Sequence, residues 1–551
     1  MTAGTWRVAL ASPHTALQLG FPDIFGPDET LWHQQVGRLT RAMECYLAHY
    51  GDEPVRVFRA PGRINLRGMH VDTHGGYLNL MTHQRDVLVV AGRGKAALTQ
   101  AANTDSDFQP LRIARHDLPT WADGEDWAAF LDSDGVHRHV SSQTGSWANY
   151  IEGSWLRAAM ALGQREMGGL NLVVDSTLPR GASLSSSAAL CLALLQSWTG
   201  WYGQPLHKDA LILAAQDAEW FTGSRCGTCD QTAIVSGTQG TILHGALDPR
   251  AFDTTGMVPI PFPAALSVLV INSHTRRSLS GIEKVAYTTN RFAYSMAMAI
   301  LQQTLARLGY EEEVIAQSDV LSRITPERLG GEGAVYRILK EIPESLTLDA
   351  LRTGYVLPDL DHEYERYFGD VDRAHRPTSI ALRGPLLFGI AESARAHQFA
   401  KAIQEENFVY AGQLMTWGHD GDRRITGDGL PAIQPVGDAY LDGMMKQNGP
   451  IVACPGAYGA SIPALDTLVD RSLALGALGA SLTGAGMAGT VLALCKKEAA
   501  ETIRTGLVDY MSGSAYAEIA HLPAPLSDGA LEDAVVVNRS VAGAGELRLE
   551  M

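Results

Sequence analysis

A serine-rich loop that runs directly into a helix is the strongest chemical feature of the sequence. The segment LPRGASLSSSAAL spans residues 178–190 and precedes a stretch of leucine and small residues. Backbone N–H groups at such a helix start converge on one point, where the helix dipole adds positive potential. Hydroxyl groups there can add hydrogen bonds or a ligand for Mg²⁺. The segment suits a bound phosphate, although a plain serine N-cap is the alternative.

A second segment concentrates basic and acidic side chains in a turn-rich stretch. It reads APGRINLRGMHVDTHGG over residues 60–76, between two runs rich in β-branched residues. Polar groups at this density can bind several hydroxyls of a sugar-like ligand. The alternative is a solvated hairpin loop, and the segment on its own favours that alternative. The side chains concerned are Arg63, Arg67, His70, Asp72 and His74.

Two further patterns suggest functions that their context does not support. Cys226 and Cys229 form a CxxC, but neither a second CxxC nor a paired histidine accompanies it, which disfavours zinc or redox use. LTGAGMAGTVLAL at 482–494 contains GxGxxG, yet its glycines lead into a predicted strand where a dinucleotide site needs a helix. We predict instead a glycine loop that approaches a phosphate or a facing loop, and we note Asp230 directly after the CxxC turn.

The predicted strands and helices around these segments indicate an α+β fold with mixed sheets. A proline-rich turn near residue 260 is followed by a new apolar strand, which predicts one domain over 1–260 and a second over 261–551. Residues 354–376 are polar, aromatic and charged and are interpreted as an inserted loop or excursion, so the second domain carries an insertion near 350–380. The other predicted strands are 55–57, 87–91, 170–175, 266–272, 479–482 and 490–494; the predicted helices are 186–198, 207–221, 291–308, 385–404 and 408–417.

Composition excludes several classes of protein. The 551 residues suggest two to four domains, and 46% hydrophobic with 19% charged residues is typical of folded soluble proteins. A formal net charge of −16 disfavours a general nucleic-acid-binding surface. Six cysteines are too few for a disulfide framework, and neither a secretory signal nor a transmembrane stretch is predicted. We therefore expect a cytoplasmic protein with small-molecule partners.

Taken together and in this order, the segments resemble the GHMP kinases, and within them the galactokinase branch. The three motifs of that family match APGRINLRG, LSSSAAL and LTGAGMAG, and PGRINLRGMHVDTHGG matches the branch signature PGRxNLxGEHxDYxGG at most positions. The similarity covers about residues 50–495, with gaps near 105–140 and 350–380. It also includes WANYIEG (147–153), QDAEWFTGSRCGTCDQ (216–231), LVINSHTRRSLSG (269–281) and SIPALDTLVD (461–470).

The resemblance implies a two-domain fold with the active site in the cleft between the domains. It implies transfer of phosphate from ATP, with Mg²⁺, to the anomeric hydroxyl of galactose or a galactose-like sugar. Asp230 looks like the catalytic aspartate and Arg63 like its partner. By the same resemblance, ATP meets Gly181, Ser183, Ser185, Ser186, Ser187, Gly484 and Gly486, the metal meets Ser187 and Glu219, and the sugar meets Met69, His70, Asp72 and Gly227.

Three departures from the family pattern bear on the substrate. Met69 stands where the branch carries the glutamate of GEH, so a sugar with an altered C6, such as galacturonate or arabinose, becomes more acceptable. Ser183 replaces a glycine, and we expect it to disfavour a positive φ and to draw the loop off the phosphate. Thr73 and His74 replace a Tyr-Asn pair, and the tyrosine that follows the RR pair in the family has no clear match. Lys284 and Tyr287 lie seven and ten residues after Arg277, and Lys284 could face a uronate, although a surface lysine is the commoner case.

Two alternatives to a sugar kinase remain open from the sequence. One is a non-catalytic sensor that binds sugar and ATP and regulates a partner protein, disfavoured by the intact serine loop and by Arg63 and Asp230. The other is a kinase for a non-sugar alcohol such as mevalonate or homoserine, disfavoured by the HxD and CDQ segments. The sequence does not define the oligomeric state.

Overall fold

The computed structural model describes residues 1–275, 282–369 and 371–549 of the chain. The strands are β1 (Val55–Arg67), β2 (Tyr77–Arg93), β3 (Leu98–Asn103), β4 (Leu111–Ala114), β5 (Leu170–Ser176), β6 (Thr241–Ala246), β7 (Val258–Pro261), β8 (Leu266–Asn272), β9 (Ser345–Thr347), β10 (Ser379–Ala381), β11 (Gly479–Thr483), β12 (Thr490–Lys496), β13 (Val535–Val537) and β14 (Gly545–Leu547).

The helices lie between these strands and before them. They are α1 (Ala3–Leu10), α2 (Thr15–Gln18), α3 (Phe21–Phe25), α4 (Glu29–Tyr50), α5 (Trp127–Leu131), α6 (Asp134–Ser142), α7 (Ala148–Ala161), α8 (Ser186–Tyr202), α9 (Lys208–Trp220), α10 (Cys229–Ser236), α11 (Ile282–Arg307), α12 (Glu312–Gln317), α13 (Pro326–Leu329), α14 (Glu332–Lys340), α15 (Leu348–Gly354), α16 (Leu360–Phe368), α17 (Arg383–Gln404), α18 (Phe408–Asp420), α19 (Asp438–Lys446), α20 (Pro463–Ala474), α21 (Ala500–Met511), α22 (Ser514–Ile519) and α23 (Asp528–Glu532). In this set no helix is both long enough and apolar enough to cross a membrane.

The first sheet is built around the long antiparallel pair of β1 and β2. Its order among the described residues is β14-β1-β2-β5-β3-β4, and β6 pairs with the other end of β2 and with β7. Strand β3 runs parallel to β5, whereas the other pairs are antiparallel. Helix α8 packs on β1 and β2, and α7 and α9 pack against α8. The sheet is therefore mixed, and the predicted α+β class is confirmed.

The second sheet has the order β11-β12-β8-β13 and is antiparallel along each of these pairs. Helices α20 and α21 cover it through an apolar core that includes Leu269, Leu482 and Ile503. The backbone N–H of Asn65 donates to Oγ1 of Thr483 at 3.1 Å, which joins β1 to β11. The second sheet thus meets the first at the strand that carries the signature segment.

The last part of the chain returns to the first sheet, where β14 pairs with β1. The C-terminal tail therefore contributes to the first half of the molecule, although it lies beyond residue 260. The division into 1–260 and 261–551 stays a prediction.

Most of the predicted elements are present, including the strands 170–175, 266–272 and 490–494. The interpretation of residues 60–76 as a loop is wrong for its first half, because β1 continues to Arg67 and the loop begins at Gly68. Polar residues in this strand suggested a loop, but each of its arginines is paired with a carboxylate from elsewhere in the chain. The pairs are Arg56–Glu546 (2.6 Å), Arg59–Asp86 (2.6 Å), Arg63–Asp230 (2.7 Å) and Arg67–Glu392 (3.1 Å).

The interpretation of residues 354–376 as an inserted loop is also wrong in part, because the segment contains helix α16. Tyr364 and Phe368 of this helix make edge contacts with Phe292 of α11, at ring-centroid distances of 5.8 and 5.7 Å. The aromatic residues that made the segment look irregular are therefore the apolar face of a short amphipathic helix.

Two buried histidines of the first sheet predict loss of stability in mild acid. Burial lowers the pKa of His83 and of His244 to about 4. The unfolded chain then binds more protons than the native state, so stability is complete above about pH 6.5 and falls as the pH approaches 4. The two groups together should lower the free energy of unfolding by roughly 3 kcal/mol per pH unit near pH 5.

Urea unfolding between pH 8 and 5 measures this dependence. Since the buried His74, with a pKa lowered to about 3, adds to the measured slope, His83→Gln should remove only its own share, roughly 1.2 kcal/mol per pH unit near pH 5, whereas His116→Gln, at an exposed position, should leave the slope unchanged. A stability that stays constant from pH 7 to 5 would contradict the prediction.

Candidate active site

The serine-rich loop forms a concave backbone turn at the start of helix α8. Gly181, Ser183 and Ser185 all have positive φ angles, of 72°, 59° and 62°. The expectation that Ser183 would avoid this conformation is wrong, because the serine adopts it. Its hydroxyl is buried without a hydrogen-bond partner in the described part of the chain. The first N–H groups of α8, from Ser186 onward, have no partner within the helix and are available to an anion.

The glycine loop between β11 and β12 closes over this turn. Gly484 and Gly486 have positive φ angles of 76° and 74°. A Cβ added at Gly484 would lie 2.7 Å from the Cβ of Ser183, so only glycine permits this approach. Oγ1 of Thr490 donates to the carbonyl of Ala182 at 2.5 Å. The structure therefore places the glycine loop against a facing loop, which is one of the two alternatives predicted for it, and that facing loop is the serine-rich one.

Asp230 and Arg63 form a buried ion pair beside the serine-rich loop. Nε and Nη2 of Arg63 both donate to Oδ1 of Asp230, at 2.9 and 2.7 Å, and Oγ of Ser185 donates to Oδ2 at 2.6 Å. Burial raises the pKa of Asp230, but Arg63 and the hydrogen bond from Ser185 outweigh it and leave the pKa below its ordinary value. The carboxylate is therefore ionised and has a fixed orientation.

Arg63 also holds the serine-rich loop, because its Nη1 donates to the carbonyl of Ser183 at 2.7 Å. Burial lowers its pKa, but Asp230 and its neighbours raise it above the ordinary value. One guanidinium thus fixes the aspartate and the loop at the same time, while it remains charged.

Ser187 and Glu219 meet at the other side of the loop. Oγ of Ser187 donates to Oε1 of Glu219 at 2.6 Å, and Nε2 of Gln231 donates to Oε2 at 2.9 Å. Burial and the nearby Asp230 raise the pKa of Glu219 to about 7. A divalent cation at this carboxylate would supply the missing positive charge, so the residue types present fit Mg²⁺.

The cysteines of the CxxC flank Asp230, and neither has a reactive environment. Burial and the carboxylates of Glu219 and Asp230 raise the pKa of Cys226 well above its ordinary value. Burial and two carboxylates do the same for Cys229, whose Sγ donates to Oδ1 of Asp230 at 3.1 Å. Both thiols therefore stay protonated, which disfavours nucleophilic or redox chemistry.

The residues predicted to meet the sugar divide into two groups. Asp72 lies against Gly227, where an added Cβ would overlap the Asp72 carboxylate. His70 stacks on Tyr458 with ring centroids 4.2 Å apart. Met69, in contrast, is 1% exposed, and its side chain lies in the apolar core of the second sheet. The structure therefore brings Asp72 and Gly227 together and places Met69 in a packing position.

A buried charge cluster holds the loop that carries Met69, and sequence reasoning missed it. Oε1 of Glu392 accepts the backbone N–H groups of Gly68 and Met69 at 2.8 and 3.0 Å. Burial raises the pKa of Glu392, but Arg67 and Arg395 lower it below the ordinary value. A signal was available, since Glu392 directly follows the apolar run PLLFGIA at residues 385–391.

Tyr294 and Asp422 are two further buried polar residues near His70 that the sequence did not indicate. Lys284, considered as a partner for a uronate, and Tyr287 have side chains that lie outside the described residues, as does the segment 276–281.

Three family models match the chain. The GHMP kinases N terminal domain matches residues 149–238, the galactokinase galactose-binding signature matches 44–93, and the GHMP kinases C terminal domain matches 438–513. The first range includes the serine-rich loop and Asp230, and the second includes Arg63 and Asp72. The fold and these matches make the chain similar to the GHMP kinases, and with its relatives they support an ATP-dependent phosphotransferase that acts on an alcohol.

Within that class the chain is similar to galactokinases. It is 26% identical to galactokinase from Chloroflexus aurantiacus over 481 residues, which cover 86% of this chain and 92% of that protein. It is 30% identical to human galactokinase over 293 residues, which cover 52% of this chain and 66% of the human protein. The structure of Lactococcus lactis galactokinase complexed with galactose has the same fold, with a TM-score of 0.59 and 19% sequence identity. The superposition covers 91% of this chain and 98% of that protein.

Proposed function

We propose that this chain transfers the γ-phosphoryl group of ATP to the anomeric hydroxyl of galactose or a galactose-like sugar and releases the sugar 1-phosphate. The observation that carries the proposal is the Arg63–Asp230 pair at 2.7 Å, beside a loop whose backbone can hold phosphate. The galactokinase signature over residues 44–93 and the names of the relatives support galactose as the sugar.

Asp230 would act on the sugar hydroxyl. Its ionised carboxylate accepts the proton, or a hydrogen bond from it, while the hydroxyl oxygen forms its bond to the γ-phosphorus. The bond between that phosphorus and the bridging oxygen breaks, and ADP leaves. Arg63 keeps Asp230 charged and oriented through two N–H donors, and it stabilises negative charge on the transferred group.

The phosphates would bind between the serine-rich loop and the glycine loop. The N–H groups at the start of α8 and the unpartnered hydroxyl of Ser183 are the donors available there, within the described part of the chain. Ser187 and Glu219 would hold Mg²⁺, which supplies counter-charge to the phosphates when it is bound. Because Glu219 already receives hydrogen bonds from Ser187 and Gln231, its carboxylate has a defined position before any ligand arrives.

ADP release with Mg-ATP and a panel of acceptors tests the function. Galactose should give the highest turnover among galactose, arabinose, galacturonate, glucuronate, N-acetylgalactosamine, glucose and mevalonate. Turnover of arabinose or galacturonate above galactose would instead support an altered C6 pocket, as first expected from Met69. No turnover with any acceptor, together with retained binding of ATP and a sugar, would support the non-catalytic sensor and refute a kinase for these acceptors.

A further inference from the structure

The loop after β1 presents His70 in an unusual backbone conformation. Its φ angle is +61°, which a bulky residue rarely adopts unless the surrounding structure imposes it. The ring is held between Tyr458, stacked at 4.2 Å with planes 9° apart, and Phe388, at 6.0 Å. The position of this imidazole is therefore determined by the half of the molecule that lies beyond residue 260.

Three buried polar atoms near this ring have no hydrogen-bond partner within residues 1–275, 282–369 and 371–549. They are Nε2 of His70, Oδ2 of Asp422 and Oη of Tyr294. Nε2 of His70 lies 3.6 Å from Oδ1 of Asp422, too far for a hydrogen bond, and the two side chains are 2% and 1% exposed. Buried polar groups almost always have partners, so unpartnered atoms that cluster in this way indicate that a polar ligand completes them.

The cluster adjoins the residues that we assign to the sugar. Tyr294 lies 5.0 Å from the ring of His74, which follows Asp72 by two positions in the same short turn. Burial, then Asp422 and Glu392, raise the pKa of Tyr294, and Asp72 also contributes. Asp72 also raises the pKa of Arg63, which is paired with Asp230. Asp72 therefore lies within electrostatic range of both the reacting centre and the cluster.

We propose that Asp422 accepts the sugar hydroxyl that is farthest from the transferred phosphate, with His70 and Tyr294 as further hydrogen-bonding partners of that group. This proposal rests on the proposed function and specifies its substrate class. Asp422 lies in the turn after α18, and its Oδ1 accepts the N–H of Ala460 at 3.1 Å, which leaves Oδ2 for the ligand.

The charges around the cluster favour a neutral sugar. Arg67 and Arg395 both pair with the carboxylate of Glu392, and the carboxylate of Asp422 raises the pKa of Arg67 and so adds a second negative charge near the two arginines. The carboxylate of a uronic acid would add an unbalanced negative charge in a buried site, which is costly. The substrate is therefore a neutral sugar with a free hydroxyl at this end, which for galactose is the C6 hydroxyl.

Asp422→Asn tests the assignment, because asparagine keeps an oxygen for Ala460 and loses the negative charge. We expect kcat/KM for galactose to fall about 10- to 100-fold, mainly through KM. For 6-deoxygalactose, which lacks the hydroxyl concerned, kcat/KM should change less than threefold. Tyr294→Phe should show the same selectivity with a smaller loss, and Tyr516→Phe, which removes a buried hydroxyl bonded to Ser273 elsewhere, should show none.

These experiments distinguish failure of the Asp422 assignment from failure of the proposed kinase function. An equal loss for galactose and 6-deoxygalactose, or preferred turnover of galacturonate, overturns it. If Asp422→Asn does not fold, the selectivity of Tyr294→Phe decides. If the wild type phosphorylates no sugar, the proposed function fails, and calorimetric titration with galactose is used instead. Binding that is weakened by Asp422→Asn then supports the proposal, whereas no binding, or unchanged binding, overturns it.

Discussion

Replacing Asp230 with asparagine should lower kcat by at least about a thousandfold and leave the affinity for ATP within a few-fold of the wild type. Asparagine has nearly the same shape, and its carbonyl oxygen can still accept the N–H groups of Arg63. It cannot take a proton from the sugar hydroxyl, and it carries no charge to orient that hydroxyl. ADP release measures turnover, and calorimetric titration with Mg-ATP measures binding.

Asp217→Asn is a matched control for this variant. Asp217 is also paired with an arginine at 2.7 Å, namely Arg157, but it has no contact with the serine-rich loop among the described hydrogen bonds. Both variants remove one carboxylate charge from an ion pair, so both should lower stability. Near-normal turnover by Asp230→Asn, or an equal loss of turnover by Asp217→Asn, would remove Asp230 from its assigned role.

Local sequence was sufficient to indicate the turn that we propose binds phosphate. A serine-rich turn that leads into a helix has a geometry set by residues next to each other in the chain, so Ser183, Ser185 and Ser187 could be recognised directly. The predicted pairing of Ser187 with Glu219 joins positions 32 residues apart, and the structure places their side chains 2.6 Å apart. That pairing came from the family resemblance, because spacing alone does not define a contact between two helices.

Long-range pairing explains what the sequence could not indicate. The arginines of β1 suggested a loop, because an unpaired guanidinium inside a sheet is costly. The sequence does not show that Asp86, Asp230, Glu392 and Glu546, from four separate elements, neutralise them. Contacts between distant parts of the chain also decide the position of Met69. The sequence suggested that Met69 lines the sugar pocket, whereas its side chain packs in the core of the second sheet.

Arg63 and Arg67 each hold a different part of the candidate site in position. Glu392, which pairs with Arg67, accepts the N–H groups of Gly68 and Met69 and so fixes the backbone of the loop that we assign to the sugar. Arg63 fixes Asp230 and the carbonyl of Ser183. Phosphoryl transfer depends chiefly on position and on charge neutralisation. A strand with both arginines buried and paired meets those two needs before substrates bind.

Arg63→Lys should therefore lower kcat by about 100- to 1,000-fold, although the charge is kept. Lysine has one ammonium group and cannot donate to Asp230 and to the carbonyl of Ser183 in the same forked geometry. Since Arg63 lowers the pKa of Asp230, a weaker pair should also raise that pKa. Activity should then decline at a higher pH on the acid side of the kcat/KM profile than it does in the wild type.

Arg59→Lys separates this effect from a general loss of stability. Arg59 lies four residues earlier on β1 and is also buried against an aspartate, at 2.6 Å from Asp86, but it does not contact the serine-rich loop within the described residues. Urea unfolding should show that both lysine variants are destabilised, because each weakens a buried ion pair. Only Arg63→Lys should change kcat by more than about tenfold and move the acid side of the profile. Equal kinetic losses in the two variants would mean that β1 acts through stability alone and that Arg63 has no direct part in phosphoryl transfer.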